Sequence, residues 1–569
     1  MNTHTKMLSL SAIADDNHCE GRRKLRSKSI VTALMAIIAA SALLGQAVAA
    51  RPAGDKAPVR SCESLTALTL ANTVVSSATT VAATTTVPEY CKVQLTVNHP
   101  PSNDAVHVGV FLPTSTWNGN FVGTGGAGLS NGDPTTPCST YPGPCALQVG
   151  YANAATDGGG GGGPNVLNPD GTLNWQQINN FGHLGIHTMT TTAKAVISAY
   201  YGTGPEYSYF FGGSEGGREA LMEAQRYPTD YNGIAAASPA INWTKLVPAQ
   251  LWPQLVMNWA DDFIPQSKFE AIREEVVAAC DELDNVKDGI ISDWENCHVD
   301  AHALVGLDTP GGTITTTDAE VVNKIWGGPR GPNGEFLWYG LLPGAPFGGP
   351  FAPPGLGGLA NTATLPDGTV IPLPFPVPLI WFPFWLAQNP SLDWRTITFD
   401  QYVQYFSQSV SEFSDVMGAD DPDLTAFRDA GGKLVIWHGT ADDLVFLQGT
   451  VDYYKRVVQT MGGLQQTRQF ARLFLAPGAN HGGSQFGPAP LVFSTVGTPG
   501  SAFAAVVDWV EHHKAPSELL GVTNPALPFG NSYGDLDMTR PLCMYPLVAR
   551  HKGNGSINDA SSFVCNNHF

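Results

Sequence analysis

Segments with strand-like and helix-like patterns alternate in two separate blocks of this 569-residue chain. The first block covers residues 90–240, and the second begins near Asp423. The strand-like stretches lie at residues 105–112, 207–211, 434–437 and 473–475, and the helix-like ones at 185–201, 218–226, 452–461 and 502–512. Strands that alternate with helices predict a mainly parallel sheet in an α/β fold.

Residues 241–430, between the two blocks, have a different composition. Their part from 327 to 390 is rich in glycine, proline and aromatic residues, including Trp338, Trp381, Phe382, Phe384 and Trp385. So much proline argues against regular helix there, and the apolar content is too high for a disordered linker. We therefore expect a lid domain at 241–430, inserted into an α/β domain made of residues 50–240 and 431–569. Its aromatic residues either line a pocket for a planar aromatic group or form the core of the lid itself.

The first 49 residues have the pattern of an export signal. A basic cluster at 22–28 precedes an apolar run at 30–44 and then Ala47-Val48-Ala49, which predicts cleavage after Ala49. The apolar run is shorter than the roughly 20 residues of a membrane span. Without this segment the chain has 24 basic and 46 acidic residues, a net charge of −22 against −19 for the whole chain. We expect a secreted or periplasmic protein with no membrane or nucleic-acid partner.

The cysteine count agrees with export. Cys19 lies in the signal, and the other eight cysteines are an even number, as expected for disulfides in an oxidising compartment. No two of them have the Cys-x-x-Cys spacing of a zinc site. Proximity in the sequence pairs Cys62 with Cys91, Cys138 with Cys145, Cys280 with Cys297, and Cys543 with Cys565.

A G-x-S-x-G motif at residues 212–216 makes Ser214 the candidate nucleophile. The motif lies between a strand-like and a helix-like stretch, which is the context of a nucleophile elbow. Such a turn projects the serine hydroxyl into a cleft and directs the next N–H, that of Glu215, toward a developing oxyanion. The alternative is a glycine-rich turn without catalytic function.

Candidates for the acid and the base follow in the order Ser, Asp, His. Asp442 and Asp443 come after the strand-like stretch at 434–437, and His481 comes after the one at 473–475. Active-site groups of open α/β sheets gather at the carboxyl ends of the strands. We predict that His481 deprotonates Ser214 and that Asp442 orients His481, with Asp443 as the alternative acid. A helix N-cap for Asp442 and a solvated loop histidine for His481 are the alternatives. His438, His512 and His513 are weaker candidates for the base.

A second oxyanion donor is expected in a glycine-rich loop at residues 121–128. Gly125 or Gly126 fits this role, because the loop follows a strand-like stretch. The loop is not a phosphate-binding P-loop, because no Gly-Lys-Ser/Thr follows it.

Together these motifs resemble the tannase/feruloyl esterase family of α/β-hydrolases, which includes mono(2-hydroxyethyl) terephthalate hydrolase. The matching landmarks are Trp117-Asn118-Gly119, Gly125-Gly126, Ala155-Thr156-Asp157, Ser214-Glu215-Gly216-Gly217-Arg218, His438-Gly439-x-x-Asp442 and Pro477-Gly478-x-x-His481.

The resemblance implies a triad of Ser214, Asp442 and His481, with an acyl-enzyme on the serine. It implies an oxyanion hole made by Glu215 and a glycine of the 123–126 loop.

The substrate that the resemblance implies is a small aromatic ester. A hydroxycinnamate ester is the first choice, and a plant polymer is one source of it. Gallate esters and terephthalate monoesters are the alternatives within the family, and Arg395 is a candidate for binding a substrate carboxylate. Outside this family, the alternative functions are a serine peptidase and a non-catalytic binding protein.

An acidic turn at residues 281–290 is the candidate metal site. Asp281, Asp284 and Asp288 offer the hard oxygen ligands that suit calcium, although the spacing is not that of an EF-hand. From spacing alone, an acidic surface turn with Lys287 as counter-charge is a better interpretation than a metal site. The turn resembles the calcium loop in the family's lid, which implies structural Ca²⁺ and no organic cofactor. The implied ligands are the side chains of Asp281, Asp284 and Asp288 and the carbonyls of Val286 and Ile290.

One pair of positions departs from the family pattern. The family usually has a cysteine just before the serine and another just after the histidine, joined as a disulfide. Here these positions are Gly213 and Gly482. We therefore expect the triad geometry to depend on packing.

Overall fold

The largest element of the fold is a mixed sheet that is parallel over most of its width. A computed structural model describes residues 57–137, 146–348, 357–481, 483, 487–490, 501–523 and 538–567. Nine of the strands in these ranges form the sheet in the order β1-β2-β3-β5-β4-β6-β7-β12-β13. The pairs from β1 to β5 are antiparallel, and those from β5 to β13 are parallel. The nine are β1 (Thr73–Val81), β2 (Tyr90–Val97), β3 (Val106–Pro113), β4 (Phe121–Thr124), β5 (Ala152–Thr156), β6 (Ser208–Gly213), β7 (Gly233–Ala237), β12 (Lys433–Gly439) and β13 (Ala471–Ala476).

The other strands of the described ranges form small antiparallel sheets. They are β8 (Asp308–Thr309) with β9 (Gly312–Thr313), β10 (Thr362–Thr364) with β11 (Val370–Pro372), β14 (Ala489–Pro490) with β15 (Glu518–Val522) and β16 (Thr539–Cys543), and β17 (Val548–His551) with β18 (Phe563–Asn566).

The α-helices of these ranges lie between the strands of the large sheet, in the inserted segment and, for the last helix, after β13. They are α1 (Trp175–Asn179), α2 (Gly185–Tyr201), α3 (Glu215–Arg226), α4 (Trp243–Ala260), α5 (Gln266–Cys280), α6 (Thr316–Gly327), α7 (Pro378–Ile380), α8 (Phe399–Met417), α9 (Thr425–Asp429), α10 (Leu447–Thr460), α11 (Leu464–Thr467) and α12 (Ala502–His512). Two π-helical turns, Asn180–Leu184 and Trp381–Leu386, follow α1 and α7.

The parallel part of the large sheet is largely buried on both faces, which explains why its strands are mostly apolar, whereas β1 at the antiparallel end is largely exposed. Neighbouring side chains of β7 belong to two different apolar clusters: Ile234 and Ala236 to one, Ala235 and Ala237 to the other. Helix α3 packs against β6 and β7, and α12 packs against β7 and β12. The α/β-hydrolase fold predicted from the sequence is confirmed.

The aromatic residues of the inserted segment lie in an apolar core that also includes Phe181 and Val445 of the α/β blocks. Trp381 stacks on Trp385 with ring centroids 4.5 Å apart, and both contact Phe413 of α8 edge-on. Trp381, Phe382 and Trp385 are fully buried, so these three aromatic side chains belong to this shared core. The expectation that residues 327–390 contain no regular helix is wrong at one place, because Pro378 is the first residue of α7 and the chain continues as a π-helix. Proline is tolerated at that position because its missing N–H would be unpaired anyway.

Three of the expected disulfides are present: Cys62–Cys91, Cys280–Cys297 and Cys543–Cys565. Cys138, Cys145 and the export signal lie outside the described residues. None of the helices in the described ranges has both the length and the apolar character needed to cross a membrane. The described residues pack as one compact unit, and the division at 240 and 430 stays a prediction.

Candidate active site

Ser214 lies on a strained turn between β6 and α3. Its backbone has φ 59° and ψ −118°, a combination that a residue other than glycine rarely adopts. Neighbouring backbone holds the turn: the Ser214 N–H donates to the Ala237 carbonyl (2.9 Å), and the Ala240 N–H donates to the Ser214 carbonyl (3.0 Å). This is the geometry of a nucleophile elbow.

The glycines of the motif are required by close backbone contacts. A Cβ atom on Gly212 would overlap the carbonyl of Gly216. A Cβ atom on Gly216 would lie 2.9 Å from the carbonyl oxygen of Gly126, closer than side-chain carbons approach. The predicted oxyanion loop therefore packs directly against the first turn of α3.

Asp442 and His481 are brought together by the ends of two neighbouring strands. Asp442 follows β12 and His481 follows β13, and His481 Nδ1 lies 2.9 Å from Asp442 Oδ2. Backbone contacts join the two loops, because the Ala441 N–H donates to the Ala479 carbonyl (3.0 Å). The strands β6, β7, β12 and β13 are neighbours in the sheet and run parallel. Ser214 therefore lies at the same end of the strands, the carboxyl end, as Asp442 and His481. The Ser214 hydroxyl has no hydrogen bond within the described residues, so the contact between Ser214 and His481 stays a prediction.

Asp442, rather than Asp443, has the geometry of the triad acid. Asp442 Oδ1 accepts the N–H groups of Leu444 (3.0 Å) and Val445 (2.7 Å), which leaves Oδ2 for His481. Burial alone would raise the pKa of Asp442, but His481 and His438 hold it far below its ordinary value. Asp443 Oδ1 instead accepts the His481 N–H (3.2 Å), and burial together with the charge of Asp442 raises the pKa of Asp443 to about 7.

His481 has the environment of a catalytic base. Burial opposes its protonation, but the charge and hydrogen bond of Asp442 raise the pKa of His481 above its ordinary value. Of the weaker candidates, His512 is half exposed on α12 and pairs with Asp508, while His513 follows it and is exposed. His438 is fully buried behind Asp442.

Comparison with known proteins identifies the chain. A family model described as tannase and feruloyl esterase matches residues 91–566. A probable feruloyl esterase of Arthroderma benhamiae is 38% identical over 492 residues, which are 84% of this chain and 86% of the relative. The chain belongs to the tannase and feruloyl esterase family. It is a carboxylic ester hydrolase, like its relatives.

Other relatives show how broad this family is. The mono(2-hydroxyethyl) terephthalate hydrolase of Piscinibacter sakaiensis is 29% identical over 551 residues, 85% of this chain and 86% of that protein. The crystal structure of feruloyl esterase B from Aspergillus oryzae superposes with a TM-score of 0.74 at 25% identity, over 89% of this chain and 99% of that one. A tannin acyl hydrolase from Aspergillus niger has the same fold, with a TM-score of 0.71 at 21% identity over 88% and 92% of the two chains.

The oxyanion loop of this esterase departs from the sequence-based expectation. The Gly125 N–H donates to the Phe211 carbonyl (3.2 Å), and the Gly126 N–H donates to Oε2 of Glu219 (2.9 Å). Neither N–H is therefore free to bind a substrate oxyanion, and the assignment of Gly125 or Gly126 as a donor is wrong for this conformation. The Glu215 N–H is at the first position of α3 and has no acceptor within the described residues, as expected for an oxyanion donor.

A buried polar network under the elbow was missed by the sequence reasoning. Arg218 Nε donates to both carboxylate oxygens of Glu215 (3.0 and 2.9 Å), and Arg218 Nη1 donates to the Gly182 carbonyl (2.6 Å). Glu219 Oε1 accepts the side-chain amide of Asn131 (2.7 Å), and burial next to Glu215 raises the pKa of Glu219. The signals in the sequence were the family landmark that contains Glu215 and Arg218 and the helical spacing of Glu215, Arg218 and Glu219 behind Ser214.

The acidic turn lies in the lid, next to the loops of the triad. Gly289 lines the same small cavity as Thr440, Ala441 and Gly478. Lys287 pairs with the exposed Glu282 (3.0 Å), so it does not neutralise the three aspartates. Their charged partner is Arg540, whose guanidinium lies 2.6 Å from Asp288 Oδ2.

The three aspartates are buried with too little positive charge around them. Asp284 Oδ2 is buried without a hydrogen bond, and burial raises the pKa of Asp284 to about 6. Asp281 accepts the N–H groups of Asp288 (3.1 Å) and Gly289 (3.0 Å). Within the described ranges, no three His, Cys, Asp or Glu side chains are already gathered around one metal position. The donors match calcium in chemistry and charge, and calcium binding stays a prediction.

Proposed function

We propose that this esterase hydrolyses hydroxycinnamate esters of the feruloyl type through an acyl-enzyme on Ser214. His481 Nε2 takes the proton of the Ser214 hydroxyl as the oxygen attacks the ester carbonyl, and Asp442 stabilises the resulting imidazolium. The Glu215 N–H binds the oxyanion, and the protonated His481 gives its proton to the alcohol that leaves as the ester C–O bond breaks. Water, deprotonated by His481, then attacks the acyl group and releases the acid from Ser214. The observation that carries this proposal is the position of the strained Ser214 at the same sheet edge as the Asp442–His481 pair.

The preference for feruloyl esters rests on similarity. The probable feruloyl esterase is 38% identical to this chain, against 29% for the terephthalate monoester hydrolase. A monoester also has a free carboxylate, for which Arg395 was the candidate. Arg395 is exposed and already pairs with Asp393 (2.8 Å), which argues against that role.

A panel of four substrates tests the proposal. Methyl ferulate, methyl gallate, a terephthalate monoester and a peptide anilide are assayed with the wild-type protein, with the Ser214→Ala variant as blank. We expect the highest kcat/KM for methyl ferulate. Hydrolysis of the peptide anilide should not exceed that of the Ser214→Ala blank. A higher kcat/KM for the gallate or the monoester would assign the enzyme to that alternative.

We propose further that the acidic turn binds Ca²⁺ as a structural ion. The side chains of Asp281, Asp284 and Asp288 and the carbonyls of Val286 and Ile290 would hold it. The orphaned, buried Asp284 Oδ2 and the excess of buried carboxylates over positive charge support this assignment. Because the turn adjoins the loops of Asp442 and His481, the ion would stabilise the acid–base side of the site.

We also propose that the protein is exported and cut after Ala49. The basic and apolar pattern of residues 22–49 and the disulfides support this. N-terminal sequencing of protein recovered outside the cytoplasm should begin at Ala50. An N-terminus at Met1 in that fraction would contradict it.

A further inference from the structure

A second histidine contacts the same carboxylate oxygen of the triad as His481. His438 lies near the end of β12 and is fully buried. Its Nε2 is 3.1 Å from Asp442 Oδ2, the same oxygen that lies 2.9 Å from His481 Nδ1. Asp442 Oδ2 therefore contacts two imidazole rings.

The hydrogen-bond partners of His438 determine which nitrogen has the proton. Nε2 faces the Val445 carbonyl (3.1 Å) as well as Asp442 Oδ2, and both of these oxygens only accept. Nδ1 lies 2.9 Å from the Thr450 hydroxyl of α10, which can donate. A proton on Nε2 is shared between the Val445 carbonyl and Asp442 Oδ2 while the Thr450 hydroxyl donates to Nδ1, so His438 offers the carboxylate a donor.

We propose that His438 is a positioning residue for the catalytic carboxylate, held in the Nε2–H tautomer by Thr450. The proposal rests on the proposed function of Ser214, Asp442 and His481. With the N–H groups of Leu444 and Val445 on Oδ1, the His438 donor fixes the rotation of the carboxylate, so that Oδ2 stays aimed at His481.

His438 also limits how strongly Asp442 attracts a proton to His481. A hydrogen bond to a carboxylate stabilises its charge and lowers its basicity. Among the described residues, the titratable groups that interact with the Asp442–His481 pair are His438 from β12 and Asp443 from the loop after it. Loss of the His438 donor leaves more negative charge facing His481 Nδ1. The pKa of His481 then rises, and the acid limb of kcat/KM moves to higher pH.

The test compares His438→Leu, which removes the donor, with His438→Gln, whose amide N–H can replace Nε2–H. The pH dependence of kcat/KM and the thermal melting curve are measured for both variants with methyl ferulate. We expect His438→Leu to lower kcat by about 10-fold or more, as for loss of a hydrogen bond to a charged group. KM should change little, and the acid limb should move to higher pH. His438→Gln should keep the acid limb at its wild-type position.

A second pair of variants covers the case in which His438→Leu does not fold. Thr450→Val removes the hydroxyl that binds Nδ1, and Thr450→Ser keeps it. We expect Thr450→Val to move the acid limb in the same direction by a smaller amount, and Thr450→Ser not to move it.

The proposal is overturned if the folded variants His438→Leu and Thr450→Val both keep the wild-type acid limb, since His438 would then act by packing alone. A shift to lower pH would overturn it as well. Failure of the proposed function looks different, because wild-type protein would then not hydrolyse the ester, or Ser214→Ala would retain the activity.

Discussion

The two halves of the active site are held in place by different physical means. On the nucleophile side, Ser214 is fixed by a strained backbone and by glycines so close to neighbouring backbone that a Cβ atom does not fit. On the acid–base side, Asp442 and His481 are fixed by hydrogen bonds to charged groups at the ends of β12 and β13. The first half should therefore be sensitive to side-chain volume, and the second to charge and pH.

The largest effect should come from removing the charge of the triad acid. Asp442→Asn keeps the shape of the side chain but favours the wrong tautomer of His481, so kcat should fall by about 10⁴-fold. The matched control is Asp443→Asn, because Asp443 Oδ1 accepts the His481 N–H and an amide oxygen can replace it. We expect the control to lose less than about 10-fold, an ordinary loss for a neutral hydrogen bond. Equal losses in the two variants would show that the acid is misassigned.

A smaller effect should follow from one added methyl group on the nucleophile side. In Gly216→Ala the new Cβ atom would lie 2.9 Å from the Gly126 carbonyl, so the loop or the elbow must move. A displacement of about 1 Å in an active site costs about 100-fold in rate. Gly327→Ala is the control, because no atom lies within 4 Å of its added Cβ. Similar kcat values for both variants would contradict the steric account of the elbow.

The pH profile should identify the acid–base side as the half that responds to charge. The base must be neutral, and Asp442 raises the pKa of His481, so kcat/KM should fall on acidification with a midpoint above the ordinary histidine value of about 6.5. In Asp443→Asn the midpoint should move to lower pH, because one carboxylate that favours protonated His481 is gone. Gly216→Ala should keep the wild-type midpoint. An equal shift of the midpoint in Gly216→Ala and in Asp443→Asn would contradict the claim that only the acid–base side responds to charge.

The smallest effect should be that of removing calcium. Chelation should lower the melting temperature by a few degrees, as expected when a ligand that binds only the folded state is removed. Asp284→Asn should abolish this response, whereas Asp308→Asn, at an exposed position outside the turn, should keep it. Unchanged melting and unchanged activity after chelation would contradict a structural ion.

What could be predicted from the sequence is the same in both halves: the backbone positions of the site residues, but not the contacts of their buried side chains. The strained turn at Ser214 could be predicted because only a few residue types fit it, and the G-x-S-x-G motif lies between recognisable elements. The pairing of Asp442 with His481 followed from the rule that parallel strands end at the same sheet edge. Directional contacts of buried side chains could not be predicted, since sequence gives no rotamers. The bonds from Gly126 to Glu219 and from His438 to Asp442 are of this kind.

The helical turn at Pro378 shows the same limit on a local scale. Many prolines in a segment argue against helix, but one proline at a first helical position favours it. Deciding between these effects requires knowing where the element begins. Burial of Trp381 and Trp385 against Phe413 fixes that position, and this packing between distant parts of the chain is not visible in the local pattern.

The central claim, covalent catalysis by Ser214, is tested most directly by trapping the acyl-enzyme. Wild-type protein is mixed with an activated feruloyl ester and quenched in acid, and the intact mass and the modified peptide are determined. We predict one feruloyl group, on the peptide that contains Ser214, and none on Ser214→Ala, whose kcat should be lower by about 10⁶-fold. A feruloyl group on any other residue, or hydrolysis that survives in Ser214→Ala, would contradict the account.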